Sequence, residues 1–194
     1  MSSTISGQVV SRRRGPALED AILQAAWEEV SEVGYAKLTM EGVAARACTG
    51  KAVLYRRWPN RAALVLAAIR HRTVPISAEV PDTGRLRDDV LAILERLRRR
   101  YVEIGPAIIH GLLGEIHEVP PSVFDVVPDV MRTVLQRAAD RGEVRQDRVD
   151  QVTTRVASLP GDLLRHELML SRRPVSDAFL AEIVDEIFLP LVER

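Results

Sequence analysis

The sequence has few of the residues that build covalently cross-linked or metal-stapled folds. Cys48 is the single cysteine among 194 residues, which excludes an intrachain disulfide framework and a cysteine-based zinc cluster. Aromatic residues make up only 4% of the chain, and no apolar run approaches the roughly 18 residues of a membrane-spanning helix. A hydrophobic fraction of 46% is nevertheless sufficient for a globular core. We therefore expect a domain held together by apolar packing alone, with no cofactor and no metal.

Acidic residues are missing from one long stretch, between Gly42 and Ala78. Over the whole chain, 27 basic and 27 acidic residues cancel. Residues 1–73, however, carry 11 basic and 6 acidic side chains, a net charge of +5, and the remainder carries −5. Such asymmetry predicts a two-part molecule whose basic N-terminal part can meet a nucleic acid.

Residues 1–15 are polar and then basic, with too little apolar surface to pack. This segment is predicted to be a disordered arm. Its Arg12–Arg14 run is compatible with insertion into a DNA minor groove and equally with no function. Because the segment lacks the apolar centre of a secretory signal, we expect a cytoplasmic, nucleoid-associated protein.

Apolar residues recur at helical spacing along the chain, and no segment shows sustained strand alternation. The sequence therefore predicts an all-α fold of about nine helices. The first helix is expected to begin at Pro16 and to end before Gly34. Two prolines and a glycine within residues 73–84 place a domain boundary there, giving domains of residues 16–72 and 73–194.

The end of the chain is predicted to form two long helices. Asp147 is expected to cap the first of them, and Pro160 should kink it. The second helix follows Pro174 and is apolar on more than one side. A helix that is apolar on two faces is either fully buried or part of an interface.

Two short helices are predicted between Thr39 and Trp58, joined by the tight turn of residues 48–50. Thr39 is a favourable N-cap for the first helix. The second is expected to run from Lys51 to Trp58, with Trp58 facing the core, and Asn60 can cap the helix that follows. Two short helices joined by about three residues are typical of a helix-turn-helix motif.

The first turn of the second short helix carries side chains suited to a DNA major groove. Gly50 and Ala52 are small and allow the backbone to approach the bases. Lys51 can reach guanine acceptors or a phosphate, and Val53 can contact a thymine methyl group. These residues are therefore candidates for base contact.

Residues around this turn suit the phosphate backbone. Tyr55, Arg56 and Arg57 are expected on the exposed arc of the helix, where they can meet phosphate oxygens. Thr39 and Arg61 begin the neighbouring helices, whose N-termini favour phosphate. The complete predicted DNA-binding set is Thr39, Gly50, Lys51, Ala52, Val53, Tyr55, Arg56, Arg57 and Arg61.

The stretch from Leu38 to Leu64, LTMEGVAARACTGKAVLYRRWPNRAAL, resembles the helix-turn-helix of the TetR/AcrR family of bacterial transcriptional regulators. The resemblance covers about residues 17–70. It implies an N-terminal three-helix DNA-binding domain and a C-terminal helical domain for ligand binding and dimerisation. The turn of residues 48–50 reads Cys-Thr-Gly where many relatives have Gly-Val-Ser, which leaves the operator sequence open.

The function that this resemblance favours is a ligand-responsive repressor, rather than an enzyme. It would bind a palindromic operator on double-stranded DNA as a homodimer and be released by a small, largely apolar effector. Residues 147–171 and 175–193 are the expected dimer surface. One alternative is a DNA-binding dimer without a small-molecule ligand. The other is an all-helical enzyme, for which the sequence offers no nucleophile–base pair, phosphate loop or metal spacing.

Side chains of the middle helices are candidates for an effector pocket. Gly111 and Gly114 leave space, while mixed apolar and polar side chains are typical of ligand sites. Taken singly, each candidate is more typical of helix packing or of a polar surface, so both interpretations stay open. The candidate ligand-binding residues are Tyr101, His110, Leu113, His117, Met131, His166 and Met169.

Overall fold

The computed structural model describes residues 15–115, 126–171 and 174–193. Within these ranges the chain forms ten helices and no strand, so the all-α prediction is confirmed. The chain divides into two compact units, Met1–His71 and Arg72–Arg194. The domain ranges 16–72 and 73–194 stay predictions. The predicted arm with Arg12–Arg14 and the candidate His117 lie outside the described residues.

Four helices and one short 3-10 turn, Tyr35–Lys37, form the N-terminal part. Helix α1 begins at Pro16, whose fixed φ suits a first turn, and ends before Gly34, which adopts a φ of 78°. Its residues Ile22, Ala26 and Val30 are fully buried. The four helices are α1 (Pro16–Val33), α2 (Met40–Arg46), α3 (Lys51–Tyr55) and α4 (Arg61–Arg72).

Six further helices build the C-terminal unit. Gly105, with a φ of 93°, separates the fifth from the sixth, as the glycine and the following proline predict. The helices are α5 (Leu86–Ile104), α6 (Pro106–Glu115), α7 (Val126–Asp140), α8 (Gln146–Gln151), α9 (Thr154–Leu170) and α10 (residues 177–193).

One apolar core joins the C-terminal helices. Helices α5, α7, α9 and α10 each contribute side chains that are almost fully buried, as burial of their apolar faces requires. The largest contributors are Ile93, Leu94, Met131, Leu135, Leu164, Ile183 and Phe188.

The single long helix predicted from Asp147 onward is wrong. The chain leaves α8 at Val152, and Thr153 caps a separate helix, α9, by accepting a hydrogen bond from the Val156 amide at 3.3 Å. Asp147 does not cap α8; its carboxylate instead binds Arg145 at 2.8 and 2.9 Å. The Thr153 cap therefore favours the start of a new helix over continuation of α8 through the β-branched Val152.

Helix α10 changes its winding in the middle. Residues Ile183–Phe188 form a π-helical turn between two α-helical pieces, Asp177–Glu182 and Leu189–Glu193. Phe188, the last residue of this wider turn, is fully buried, as are Ile183 and Val184. Part of the two-sided apolar pattern of this helix is therefore used inside its own chain.

Candidate nucleic-acid interface

The helix-turn-helix is fixed by local backbone hydrogen bonds. Thr39 caps α2, with its hydroxyl oxygen accepting from the Gly42 amide at 3.0 Å. The Thr49 amide donates to the Ala44 carbonyl at 2.9 Å and closes the turn that follows α2. Cys48 lies in this turn with a φ of 52°, the only non-glycine residue with positive φ among the described residues. The predicted cap and tight turn are both present.

Helix α3 is anchored by its inner face. Leu54 is fully buried and Trp58 is 8% exposed, as predicted for the core side. Regular α-helix ends at Tyr55 instead of Trp58, so α3 is shorter than predicted. The Trp58 amide nevertheless donates to the Leu54 carbonyl at 2.9 Å, so a further turn carries the chain to Pro59. Asn60 then caps α4 by accepting from the Ala63 amide at 2.8 Å.

The opposite side of α3 faces solvent. Lys51, Ala52, Arg56 and Arg57 are exposed, and Tyr55 is 44% exposed despite its aromatic ring. The remaining candidates divide: Gly50 and Thr39 are exposed, while Val53 and Arg61 are half-buried. The exposed side of α3 therefore carries small and basic side chains, while its other side packs in the core.

Lys51 contacts two neighbours within the same unit. Its ammonium group donates a hydrogen bond to the Glu41 carboxylate and lies 5.6 Å from the centre of the Tyr55 ring. The hydrogen bond from Lys51 lowers the pKa of Glu41, and the same bond raises the pKa of Lys51. Lys51 is thus a fully charged cation near the start of α3.

Arg57 is also ion-paired, to a residue far away in sequence. Its guanidinium donates to the Glu19 carboxylate on α1, 38 residues earlier. Spacing within the sequence gives no signal for such a pair. Arg56, its neighbour, is exposed and makes no ion pair among the residues that the structure describes.

Arg61 binds the connector before α2. It donates to the Leu38 carbonyl at 2.9 Å and lies 5.0 Å from the centre of the Tyr35 ring. These contacts tie the start of α4 to the residues that precede Thr39. The predicted DNA contact of Arg61 stays a prediction, and the structure adds an architectural role.

Arg46 links α2 to α1 through ion pairs. Arg46 donates to Glu29 at 2.7 Å and also binds Glu32. Glu28 lies 3.9 Å away, so three carboxylates of α1 surround one guanidinium. Sequence reasoning missed this cluster, although the spacing of the three acids on one helix face was available as a signal.

The effector-pocket candidates are scattered in the C-terminal unit. Tyr101 donates to the Leu168 carbonyl at 2.6 Å, and its hydroxyl lies 3.2 Å from His110 Nε2. Burial raises the pKa of Tyr101. Met131 is fully buried in the apolar core, whereas His166 is exposed.

The other described candidates are partly accessible. Leu113 on α6 and Met169 on α9 are both half-buried. Of the candidate set, the structure therefore brings Tyr101 and His110 into direct contact. The pocket stays a prediction.

An exposed basic helix, held by a capped helix-turn-helix and followed by a separate all-helical unit, defines the class of helix-turn-helix transcriptional regulators. Comparison with known proteins identifies the family. Residues 22–68 match the bacterial regulatory proteins of the tetR family, and residues 80–187 match the tetracyclin repressor-like C-terminal domain. The chain belongs to the TetR family, and the resemblance noted in its sequence is confirmed. This family is a class of regulators and not of enzymes.

Two relatives span almost the whole chain. An uncharacterised HTH-type transcriptional regulator of Mycobacterium tuberculosis (strain ATCC 25618 / H37Rv) is 35% identical over 190 residues, covering 91% of this chain and 88% of the relative. The DNA-binding transcriptional repressor TetR of Mycobacteroides abscessus is 32% identical over 186 residues, covering 92% of this chain and 96% of the repressor.

Solved structures share the fold. A crystal structure of the TetR family transcription regulator SCO0332 gives a TM-score of 0.64 at 24% identity, covering 88% of this chain and 96% of that one. RolR, solved without ligand, also gives 0.64, at 15% identity and 89% coverage of both chains. None of the helices in the described residues is long and apolar enough to cross a membrane.

Proposed function

We propose that the protein is a ligand-responsive repressor that binds a palindromic operator as a homodimer through the exposed face of α3. The observation that carries the proposal is the outward display of Lys51, Ala52 and Arg56 by a helix anchored on Leu54 and Trp58. Small residues near the start of α3 admit the base edges, and the flanking cations meet phosphates. The similarity to a mycobacterial DNA-binding repressor supports the repressing sign.

A dimer supplies the second recognition helix. One small helix-turn-helix makes too few base contacts for useful selectivity, and two-fold symmetry doubles them with half-sites about 34–36 Å apart. The proposed dimer surface is formed by α9 and α10. Both helices keep apolar side chains outside their own core, with Leu170 70% exposed and Leu191 52% exposed. Exposed apolar side chains on adjacent helices support an interface.

The proposed effector is small and largely apolar. The contact of Tyr101 with His110, beside the C-terminal end of α9, offers two polar groups within an apolar helical unit. An effector that binds better to the DNA-incompetent arrangement would lower operator affinity by that differential affinity. A coupling of about 1–3 kcal/mol would be typical.

Selection of bound duplexes from a random pool tests the DNA half of this proposal. We expect enrichment of an inverted repeat, with anisotropy titrations showing tight binding to the enriched duplex, weak binding to a scrambled one, and affinity that falls steeply as salt rises. Absence of any enriched sequence would contradict an operator-binding function.

The proposed binding of an apolar effector is tested by a separate measurement. Binding of the apolar dye 1-anilinonaphthalene-8-sulfonate, and its displacement by long-chain fatty acids, would report an apolar site in the folded protein. A displacing compound should raise the melting temperature and weaken operator binding together, because linkage is reciprocal. Operator binding that no such compound changes would favour the alternative of a DNA-binding dimer without a small-molecule ligand.

A further inference from the structure

Two of the cations assigned to DNA are already bound by carboxylates of the same unit. Lys51 donates to Glu41, and Arg57 donates to Glu19. Neither carboxylate belongs to the predicted DNA contacts. Both are nevertheless among the six acidic residues of the otherwise basic segment 1–73.

We propose that Glu41 and Glu19 set the DNA affinity of this protein by competing with phosphate for Lys51 and Arg57. The inference rests on the proposed assignment of these two cations to DNA. To bind a phosphate, Lys51 and Arg57 must each first break an existing ion pair with a carboxylate. The net favourable free energy of each phosphate contact is therefore smaller than that of an unpaired cation. The resulting lower DNA affinity allows the complex to dissociate.

The position of Glu41 makes it an effective competitor. It lies in the first turn of α2, two residues after the capping Thr39, and its bond to Lys51 spans the turn between α2 and α3. Lys51 and Glu41 side chains are 49% and 60% exposed, so the pair can exchange without opening the core. When Lys51 turns to a phosphate, Glu41 loses the ammonium group that it binds in the free protein.

Glu19 acts in the same way from another helix. Its bond to Arg57 joins α1 to the residues just after α3, and both side chains are partly exposed. Arg56 differs, since it has no ion pair among the described residues. A phosphate contact by Arg56 therefore requires no exchange, in contrast to Lys51 and Arg57.

The proposal predicts the sign of a charge-removing substitution. Glu41→Gln keeps the shape of the side chain and releases Lys51, so affinity for the enriched duplex should rise about two- to fivefold at low salt, the range expected for an exposed ion pair. The salt slope should steepen by up to about one unit. If Glu41 instead positioned Lys51 for DNA, the same substitution would weaken binding, and that result would overturn the proposal.

A matched control separates competition from net charge. Glu28→Gln adds the same charge to the unit, and Arg46 keeps its bonds to Glu29 and Glu32. Its effect on affinity measures the long-range electrostatic term alone. Equal affinities for Glu41→Gln and Glu28→Gln would refute a role for the ion pair.

A double-mutant cycle shows whether Glu41 acts through Lys51. In a Lys51→Gln background, Glu41→Gln should raise affinity no more than Glu28→Gln does. A persisting gain would mean direct repulsion of phosphate and would contradict competition. Lys51→Gln alone tests the underlying DNA assignment, since unchanged affinity there removes Lys51 from the interface. Glu19→Gln repeats the main test with a pair that does not involve α2, and thermal melting checks that each variant is folded.

Discussion

Arg57 shows how one side chain can be structural and functional at once. Its guanidinium binds Glu19 on α1, and the proposed phosphate contact would require the same group to leave that carboxylate. The assignment of Arg57 to phosphate predicts a loss of affinity that is independent of sequence.

Arg57→Ala should weaken binding to the enriched duplex and to a scrambled duplex by the same factor. The slope of log affinity against log salt should flatten by about one unit, because one phosphate contact is lost. Anisotropy titrations at several salt concentrations measure both quantities. A change in base preference after a repeated selection would show that Arg57 reads bases, contrary to this assignment.

Cys48 has a left-handed backbone conformation, which predicts how substitutions there change the stability of the protein. A left-handed conformation costs a residue with a Cβ atom about 1–2 kcal/mol, while glycine adds about 0.5–1 kcal/mol of unfolded-state entropy. Cys48→Gly should therefore raise the free energy of unfolding by about 0.5–1 kcal/mol, measured by urea denaturation. Cys48→Val is the control and should destabilise, since β-branching disfavours positive φ. A destabilised glycine variant would show that the thiol contributes a contact that outweighs the strain.

At the scale of helices, the close packing of α7 on α9 depends on Gly161. A Cβ atom at this position would lie 2.9 Å from Cγ1 of the buried, β-branched Val127. Overpacking costs about 1–3 kcal/mol, which exceeds the gain of about 1 kcal/mol from replacing a helical glycine by alanine. We expect Gly161→Ala to lower the free energy of unfolding by about 1 kcal/mol.

Two comparisons isolate the steric cause. In a Val127→Ala background, Gly161→Ala should be neutral or stabilising, because the clashing methyl group is gone. Gly114→Ala on α6 is the matched control, since a Cβ atom there would meet nothing within 4 Å. Urea denaturation of all variants gives the energies, and an unchanged penalty without Val127 would rule out this contact as the cause.

Helix α5 is capped from outside its own segment. The Leu86 amide donates to Glu143 at 2.7 Å, and Arg141 binds the other oxygen of that carboxylate at 2.5 Å. Burial raises the pKa of Glu143, but the bonds from Leu86 and Arg141 outweigh it, so the pKa is lowered overall. A carboxylate with a depressed pKa stabilises the fold above its unfolded-state pKa and stops doing so as pH falls through the folded-state value.

The stability difference between the wild type and Glu143→Gln should therefore be largest at neutral pH. It should shrink as the pH falls below the ordinary glutamate pKa of about 4.3 and on through the depressed value. Urea midpoints measured across this range test the prediction. A difference that does not vary with pH would mean that the charge of Glu143 contributes nothing to the cap.

Local signals explain which elements the sequence could predict. Gly34, Thr39, Asn60 and Gly105 act on their own neighbours through positive φ or a side-chain cap, and each boundary they predict is present. The π-helical turn of residues 183–188, which ends at the buried Phe188, contains neither a glycine nor a capping side chain that would predict it locally.

In the candidate site too, the sequence predicts features that depend on local spacing and misses those that depend on tertiary structure. Burial of Trp58 was predicted from its four-residue spacing to Leu54, which places both side chains on the inner face, and Tyr55 was expected on the exposed arc beside it. The partners of Lys51 and Arg57 were not predicted, because an ion pair between separate helices depends on tertiary structure. The effector pocket depends on even longer-range packing, and its candidate Met131 occupies the apolar core.

At the scale of the whole molecule, the proposed function requires a basic DNA-binding unit and an all-helical unit that pairs with a second copy. The +5 charge of residues 1–73 favours association with DNA, and the −5 charge of the remainder does not. In the proposed dimer, selectivity would come from two copies of α3 that contact two half-sites.

Sedimentation of the protein on the enriched duplex tests this most directly, with a duplex truncated to one half-site as the comparison. We expect two 21.6 kDa chains on each full-length duplex and an affinity for the half-site close to that for a scrambled sequence. One chain per duplex, with equal affinity for the full site and the half-site, would contradict this expectation.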